Sequence, residues 1–189
     1  MNRGGILWFA MAGLFAVARW VLAIADIQYY DPESLLDYSG VILQTATGLT
    51  TGVALLILWR DPPVQRGAFL IGLGGVAAIA QGLGNLIEDG LGWEWGVWGF
   101  FIGGVGMLVT LALAGILAQT VRHSLRWSGV FLILGATGAM LGLGLLIMGL
   151  TWIALSYWIH LNKTSRQTRS AVTRTESDSP QESMESRDS

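Results

Sequence analysis

Residues 95–120 read WGVWGFFIGGVGMLVTLALAGILAQT, a run without one charged side chain. About 20 apolar residues in a helix cross the ~30 Å hydrocarbon core of a bilayer, and this run exceeds that length. Three other stretches share the property: Tyr38–Trp59, Gly67–Ile87 and Trp127–Leu161. A fifth, Gly5–Ala25, is interrupted only by Arg19. No soluble core needs so many such runs. The composition agrees, with 52% hydrophobic and 13% charged residues in a chain of 189 and a mean hydropathy of +0.54, where a soluble domain is about a quarter charged. The reading is an all-α, polytopic transmembrane helix bundle of about five helices, near 5–25, 38–59, 66–88, 93–119 and 127–160. It forms one domain over residues 1–162, with the lipid bilayer as its partner.

The breaks between these runs have local causes. Pro62 and Pro63 stop the second helix just after Arg60, since proline lacks the amide hydrogen and clashes with the preceding turn. Charge then sets orientation. Arg60 and Arg66 flank one short loop and Arg122 and Arg126 another, whereas the alternate loops carry Asp26, Asp31, Glu33, Asp37, then Glu88, Asp89 and Glu94, with no Lys or Arg. Arg3 precedes the first helix. By the positive-inside rule the N-terminus is cytoplasmic, and the expected location is the cytoplasmic membrane, crossed several times. Tryptophan position gives a second signal. Trp8, Trp59 and Trp127 fall at inner ends, and Trp20, Trp93, Trp95, Trp98, Trp152 and Trp158 at or near outer ends, as in interfacial belts.

Two segments admit alternatives. As one helix, Trp127–His160 would be roughly 50 Å long, beyond one crossing. It projects outward, bends at its glycines, or folds into a hairpin of two short segments, and the basic residues Lys163, Arg166, Arg169 and Arg174 favour the hairpin. The expectation retained is a single crossing. At the other end, Arg3, an apolar run and Ala23-Ile24-Ala25 resemble a secretory signal with its cleavage site, although Arg19 and Trp20 sit late for one. Residues 163–189 are polar and rich in Ser and Thr, without hydrophobic periodicity, and are expected to be a disordered tail. Asn162-Lys163-Thr164 matches the N-glycosylation sequon.

The pairs Gly48/Gly52, Gly99/Gly103 and Gly138/Gly142 have the small-xxx-small spacing that lets helices approach closely in lipid. Gly92, Gly96, Gly99, Gly103 and Gly106 share one face of the fourth helix. Packing within the chain is the first expectation for these faces, and a homo-oligomer contact the second.

One polar constellation stands out, because polar groups inside a span are costly and seek partners. Arg19 lies seven residues before Asp26, roughly 10 Å below the outer boundary at 1.5 Å per residue. Gln44 and Gln81 fall at a similar depth on the next two helices. Gln81, Asn85 and Glu88 share a face at helical spacing, as do Gln44, Thr47 and Thr51. The expectation is that these faces converge, with Arg19 pairing with Glu88 or Asp89. The candidate residues are therefore Arg19, Gln44, Gln81, Asn85, Glu88 and Asp89, acting as structural glue or as the lining of a site for a small polar ligand or ion.

Other chemistry has less support. The net charge of −2 suggests no nucleic-acid partner, and the absence of cysteine removes thiol catalysis and thiolate metal sites. His123 and His160 are placed on opposite sides of the membrane, which disfavours a two-histidine metal or haem site. No catalytic residue, metal site or cofactor is expected. The leading functional reading is a structural or accessory, non-enzymatic membrane protein. The alternatives are a transporter or channel subunit using the outer polar layer, and a membrane enzyme at the outer acidic loops.

Overall fold

The computed structural model describes residues 3–24, 34–60, 67–119, 126–138 and 144–177. Among these residues every regular element is a helix: α1 (Arg3–Ile24), α2 (Leu35–Arg60), α3 (Ala68–Asn85) running on into a π-helical turn (Leu86–Gly90), α4 (Gly96–Gln119), α5 (Arg126–Gly138) and α6 (Gly144–Ser177). Five helical segments are long and apolar enough to cross a membrane: Gly5–Ile24, Leu35–Arg60, Ala68–Gly90, Gly96–Gln119 and Gly144–Leu161. The chain divides into two compact units, Met1–Ser156 and Tyr157–Ser189. The second is helical as far as Ser177, as part of α6.

Local chemistry sets the helix ends. Ser34 and Asp37 form a capping box. The Asp37 amide donates to Ser34 Oγ at 3.1 Å and the Ser34 amide donates to Asp37 Oδ2 at 3.0 Å, so two orphan amides of the first turn are satisfied reciprocally. The Asp37 carboxylate also favours the positive end of the helix dipole. This is why α2 starts at Leu35 and not near 38 as hydropathy alone suggests. At the start of α3, Gly67 adopts φ +85°, a left-handed conformation that glycine takes without steric cost, and its carbonyl accepts from the amides of Leu70 and Ile71.

α2 and α3, α3 and α4, and α4 and α5 run antiparallel, and their register is set by glycine. Gly48 and Gly52 of α2 face Gly82 and Gly75 of α3, and Gly96, Gly99 and Gly103 of α4 face Gly84, Ala80 and Gln81 of α3. A Cβ on Gly48 would lie 2.7 Å from Gly82 Cα and 2.9 Å from the Ala78 carbonyl oxygen. In lipid, where apolar burial contributes little to association, such backbone approach supplies the attraction. The glycine faces of α2 and α4 thus both pack on α3 within one chain.

The final apolar run departs from the single helix expected over 127–160. It contains two helices, α5 ending at Gly138 and α6 beginning at Gly144, and residues 139–143 between them lie outside the described residues. The region is dense in glycine, which costs up to about 1 kcal/mol per position in a helix interior. With 13 residues, α5 is roughly 20 Å long, too short to cross alone. It packs antiparallel on α4, Gly129 meeting Gly115 and Ala118. α6 in turn runs antiparallel to α1: Ser156 Oγ donates to the Ile6 carbonyl at 3.0 Å, Trp152 packs on Phe9 with ring centroids 5.4 Å apart, and Gly149 lies against Gly13 and Val17.

This direction corrects one expectation. Trp152 is not an interfacial residue but a fully buried one, because the antiparallel course of α6 along α1 sets it beside Phe9 and Gly135. Trp158 and His160 fall in the second unit. His123 itself lies outside the described residues. Further along, α6 runs through 163–177, a stretch read as tail. Extending an existing helix needs no new nucleus, which is the costly step of helix formation. Residues 178–189 lie outside the described residues. Trp59, Trp93, Trp95 and Trp98 are exposed, as belt residues are. Trp127 and the loop bearing Asp26, Asp31 and Glu33 lie where no side chains are described.

Candidate functional site

The six polar candidates separate into three groups. The first is a structural hydrogen bond. Asn85, at the last turn of α3, is 1% exposed. Its Nδ2 donates to the Val41 carbonyl at 3.4 Å and to Thr45 Oγ1 at 3.3 Å, both on α2. These bonds are long, and such contacts average about 0.6 kcal/mol in membrane helices. They pin α3 to α2 one turn above the Gly48/Gly82 approach.

The second group joins α1 to the π turn. Arg19 is buried at 2% exposure, and its positive charge acts on the Asp89 carboxylate, which also feels the neighbouring Glu88. Asp89 is one of the two partners expected for Arg19. Spacing arguments carry the face Gln81–Asn85–Glu88 along a 3.6-residue period, but that period ends at Asn85. Beyond it the backbone closes wider bonds, Leu91 N–H to Leu86 C=O at 3.1 Å, and the direction of each following side chain is reset. Expected outcome: in a double-mutant cycle of Arg19→Leu and Asp89→Asn, unfolding in detergent gives a coupling of roughly 0.5–3 kcal/mol. Strict additivity of the two single losses would mean that no pairing exists.

The third group surrounds a cavity of about 180 Å³ within the first unit, between α2, α3, α4 and α6. Gln44, Thr47 and Thr51 of α2 and Gln81 of α3 form its polar wall, and Phe100, Met107, Leu145 and Met148 its apolar wall. Gln44, Thr47 and Thr51 of α2 and Gln81 of α3 thus share one cavity wall. Arg19, Asn85, Glu88 and Asp89 do not reach this cavity. Sequence reasoning missed the apolar wall, since no local signal distinguishes Met107 or Met148 from any other apolar residue of a span.

Thr51 is chemically unlike its neighbours. The hydroxyls of Thr47, Thr50, Thr110 and Thr151 donate to the carbonyl four residues back, at 2.6–2.7 Å, the usual way a helix absorbs threonine. Thr45 accepts from Asn85. Thr51 Oγ1 is buried with no hydrogen-bond partner. Its own upstream acceptor, the Thr47 carbonyl, is already approached by Thr50 Oγ1 at 3.3 Å.

Among the described residues no group of three or more His, Asp or Glu side chains is placed to hold a metal ion. No family model, no curated protein and no solved structure matches this chain. Its class therefore rests on its own architecture, that of a multi-pass α-helical membrane protein.

Proposed function

We propose that this protein is a small, non-enzymatic component of the cytoplasmic membrane, structural or accessory in character, with both termini in the cytoplasm. The observation that carries the reading is where unspent polar groups stop. Past Thr51, α2 continues from Gly52 to Trp59 without a polar side chain before the interfacial tryptophan, and α3 has none between Ala68 and Ala80. Thr110, Thr151 and Ser156 spend their hydroxyls on backbone carbonyls. A conduction path needs ligating or hydrated groups through the full depth. Among the described residues the unspent hydroxyl and amide groups gather toward one half, the outer one when Arg3, Arg60, Arg66, Arg122 and Arg126 are cytoplasmic, with the buried indole N–H of Trp152 the exception. The basic residues Lys163, Arg166, Arg169 and Arg174 favour the same side by their charge alone. A transporter or channel subunit is the second reading, and it draws on the cavity between α2, α3, α4 and α6.

The absence of native cysteine makes thiol mapping direct. With single cysteines at Ser34, Gln65, Ser124 and Ser170, an impermeant maleimide added to intact cells is expected to label only Ser34→Cys. Labelling of Ser170→Cys from outside would overturn the placement of the C-terminus. Cysteines at the buried positions Ala54 and Leu58 test for a pathway. They are expected to stay unreactive toward a charged thiosulfonate from either side, and reaction from the cytoplasmic side would replace the accessory reading with transport.

A further inference from the structure

We infer that the cavity bounded by Gln44, Thr51, Gln81, Phe100, Met107 and Met148 is a binding site for a neutral, ring-sized organic molecule carrying an amide or similarly two-sided hydrogen-bonding group. The inference goes beyond an accessory role and does not depend on orientation in the membrane.

Three observations converge. The first is size. About 180 Å³ is far more than one water molecule occupies, and apolar cavities of about 150 Å³ accept a benzene-sized guest. The second is the polar wall. Thr51 is 1% exposed and its hydroxyl has no partner, a state that costs about 1–3 kcal/mol of lost hydration in a buried setting. The amides of Gln44 and Gln81 line the same wall, and no hydrogen bond ties either of them among the described residues. Each amide offers donors and an acceptor, and a hydroxyl offers both. A guest that both donates and accepts satisfies this wall, whereas an acyl chain leaves it bare.

The third observation is the opposite wall. Phe100, Met107, Leu145 and Met148 are apolar, and methionine sulfur and a phenyl ring both favour contact with an aromatic guest. Water alone would wet that wall without compensation. No charged side chain lines the cavity. An ionised guest would be stripped of water with nothing to neutralise it, which excludes it energetically. The match is therefore a molecule with one polar edge and one apolar face.

The test uses the full chain in nanodiscs and tritiated benzamide, competed by unlabelled toluene (same ring, no polar edge) and benzoate (same ring, charged). Saturable benzamide binding is expected, with toluene and benzoate at least tenfold weaker as competitors. Thr51→Val, a substitution of matched shape, is expected to weaken benzamide about threefold to tenfold, the worth of one hydrogen bond, and to leave toluene unchanged. Thr51→Ser restores the hydroxyl and is expected to recover most of the affinity. Folding of each variant is checked by its thermal transition. Absence of saturable benzamide binding by the folded wild-type chain overturns the inference, the cavity then holding water only. Equal affinity for toluene, or benzamide binding indifferent to Thr51→Val, overturns it as well, because the polar wall would then play no part.

Discussion

Gly48→Leu is expected to separate α2 from α3 and abolish the folded bundle, and Gly48→Ala to lower its stability by about 1–3 kcal/mol. At Gly48 a single added carbon would sit 2.7 Å from Gly82 Cα, 2.8 Å from Gly82 N and 2.9 Å from Ala78 O. All three are backbone atoms, so no rotamer change makes room and the helices themselves must move apart. Alanine gains up to about 1 kcal/mol of helix propensity over glycine, which makes the sign of the result informative. Gly106→Ala is the control: only the Ala77 Cβ comes near, at 3.3 Å, and the propensity gain roughly offsets that contact. Unfolding of the purified chain in a detergent series measures both. A Gly48→Ala variant as stable as Gly106→Ala would refute the α2/α3 register.

Trp152→Ala is expected to cost about 3–5 kcal/mol, the range for deleting a large aromatic from a packed core. Trp152 is fully buried, stacked at a tilt on Phe9 and pressed against Gly135, where an added Cβ would meet its ring at 2.8 Å. It therefore locks α6 to both α1 and α5. Lipid does not refill so enclosed a void, and the lost dispersion contacts have no replacement. Trp152→Phe is expected to cost far less. It keeps a ring against Phe9 and removes the indole N–H, which is buried without a hydrogen-bond partner. A loss below about 0.5 kcal/mol for Trp152→Ala, the usual scale for a surface position, would instead place this tryptophan at the lipid boundary and undo the antiparallel α1/α6 pairing.

Much of the bundle was legible in one dimension. The apolar lengths behind α1 to α4 depend only on transfer of local sequence into hydrocarbon, and the helices begin and end within a few residues of where those lengths put them. The exceptions were short polar motifs. Ser34 with Asp37 caps α2 earlier than hydropathy suggests, and a π turn replaces the 3.6-residue period after Asn85. The cavity was half legible. Gln44, Thr47 and Thr51 share a face by spacing, and Gln81 lies at matching depth. Nothing local marked Phe100, Met107, Leu145 and Met148 as the facing wall, nor Thr51 as the hydroxyl left over.

What the residue string alone determined is that this chain is helical and membrane-spanning, because desolvation of apolar side chains and of the backbone is settled segment by segment. What only the tertiary structure decided is how the run from Trp127 to Leu161 is used. Hydropathy is blind to direction, so one long helix and two antiparallel ones read alike. Close contacts separated them: Ser156 on Ile6, Gly149 on Gly13, Trp152 between Phe9 and Gly135. In lipid, helices are chosen as neighbours by the fit of small residues and not by water exclusion, and that fit exists only once the faces have met.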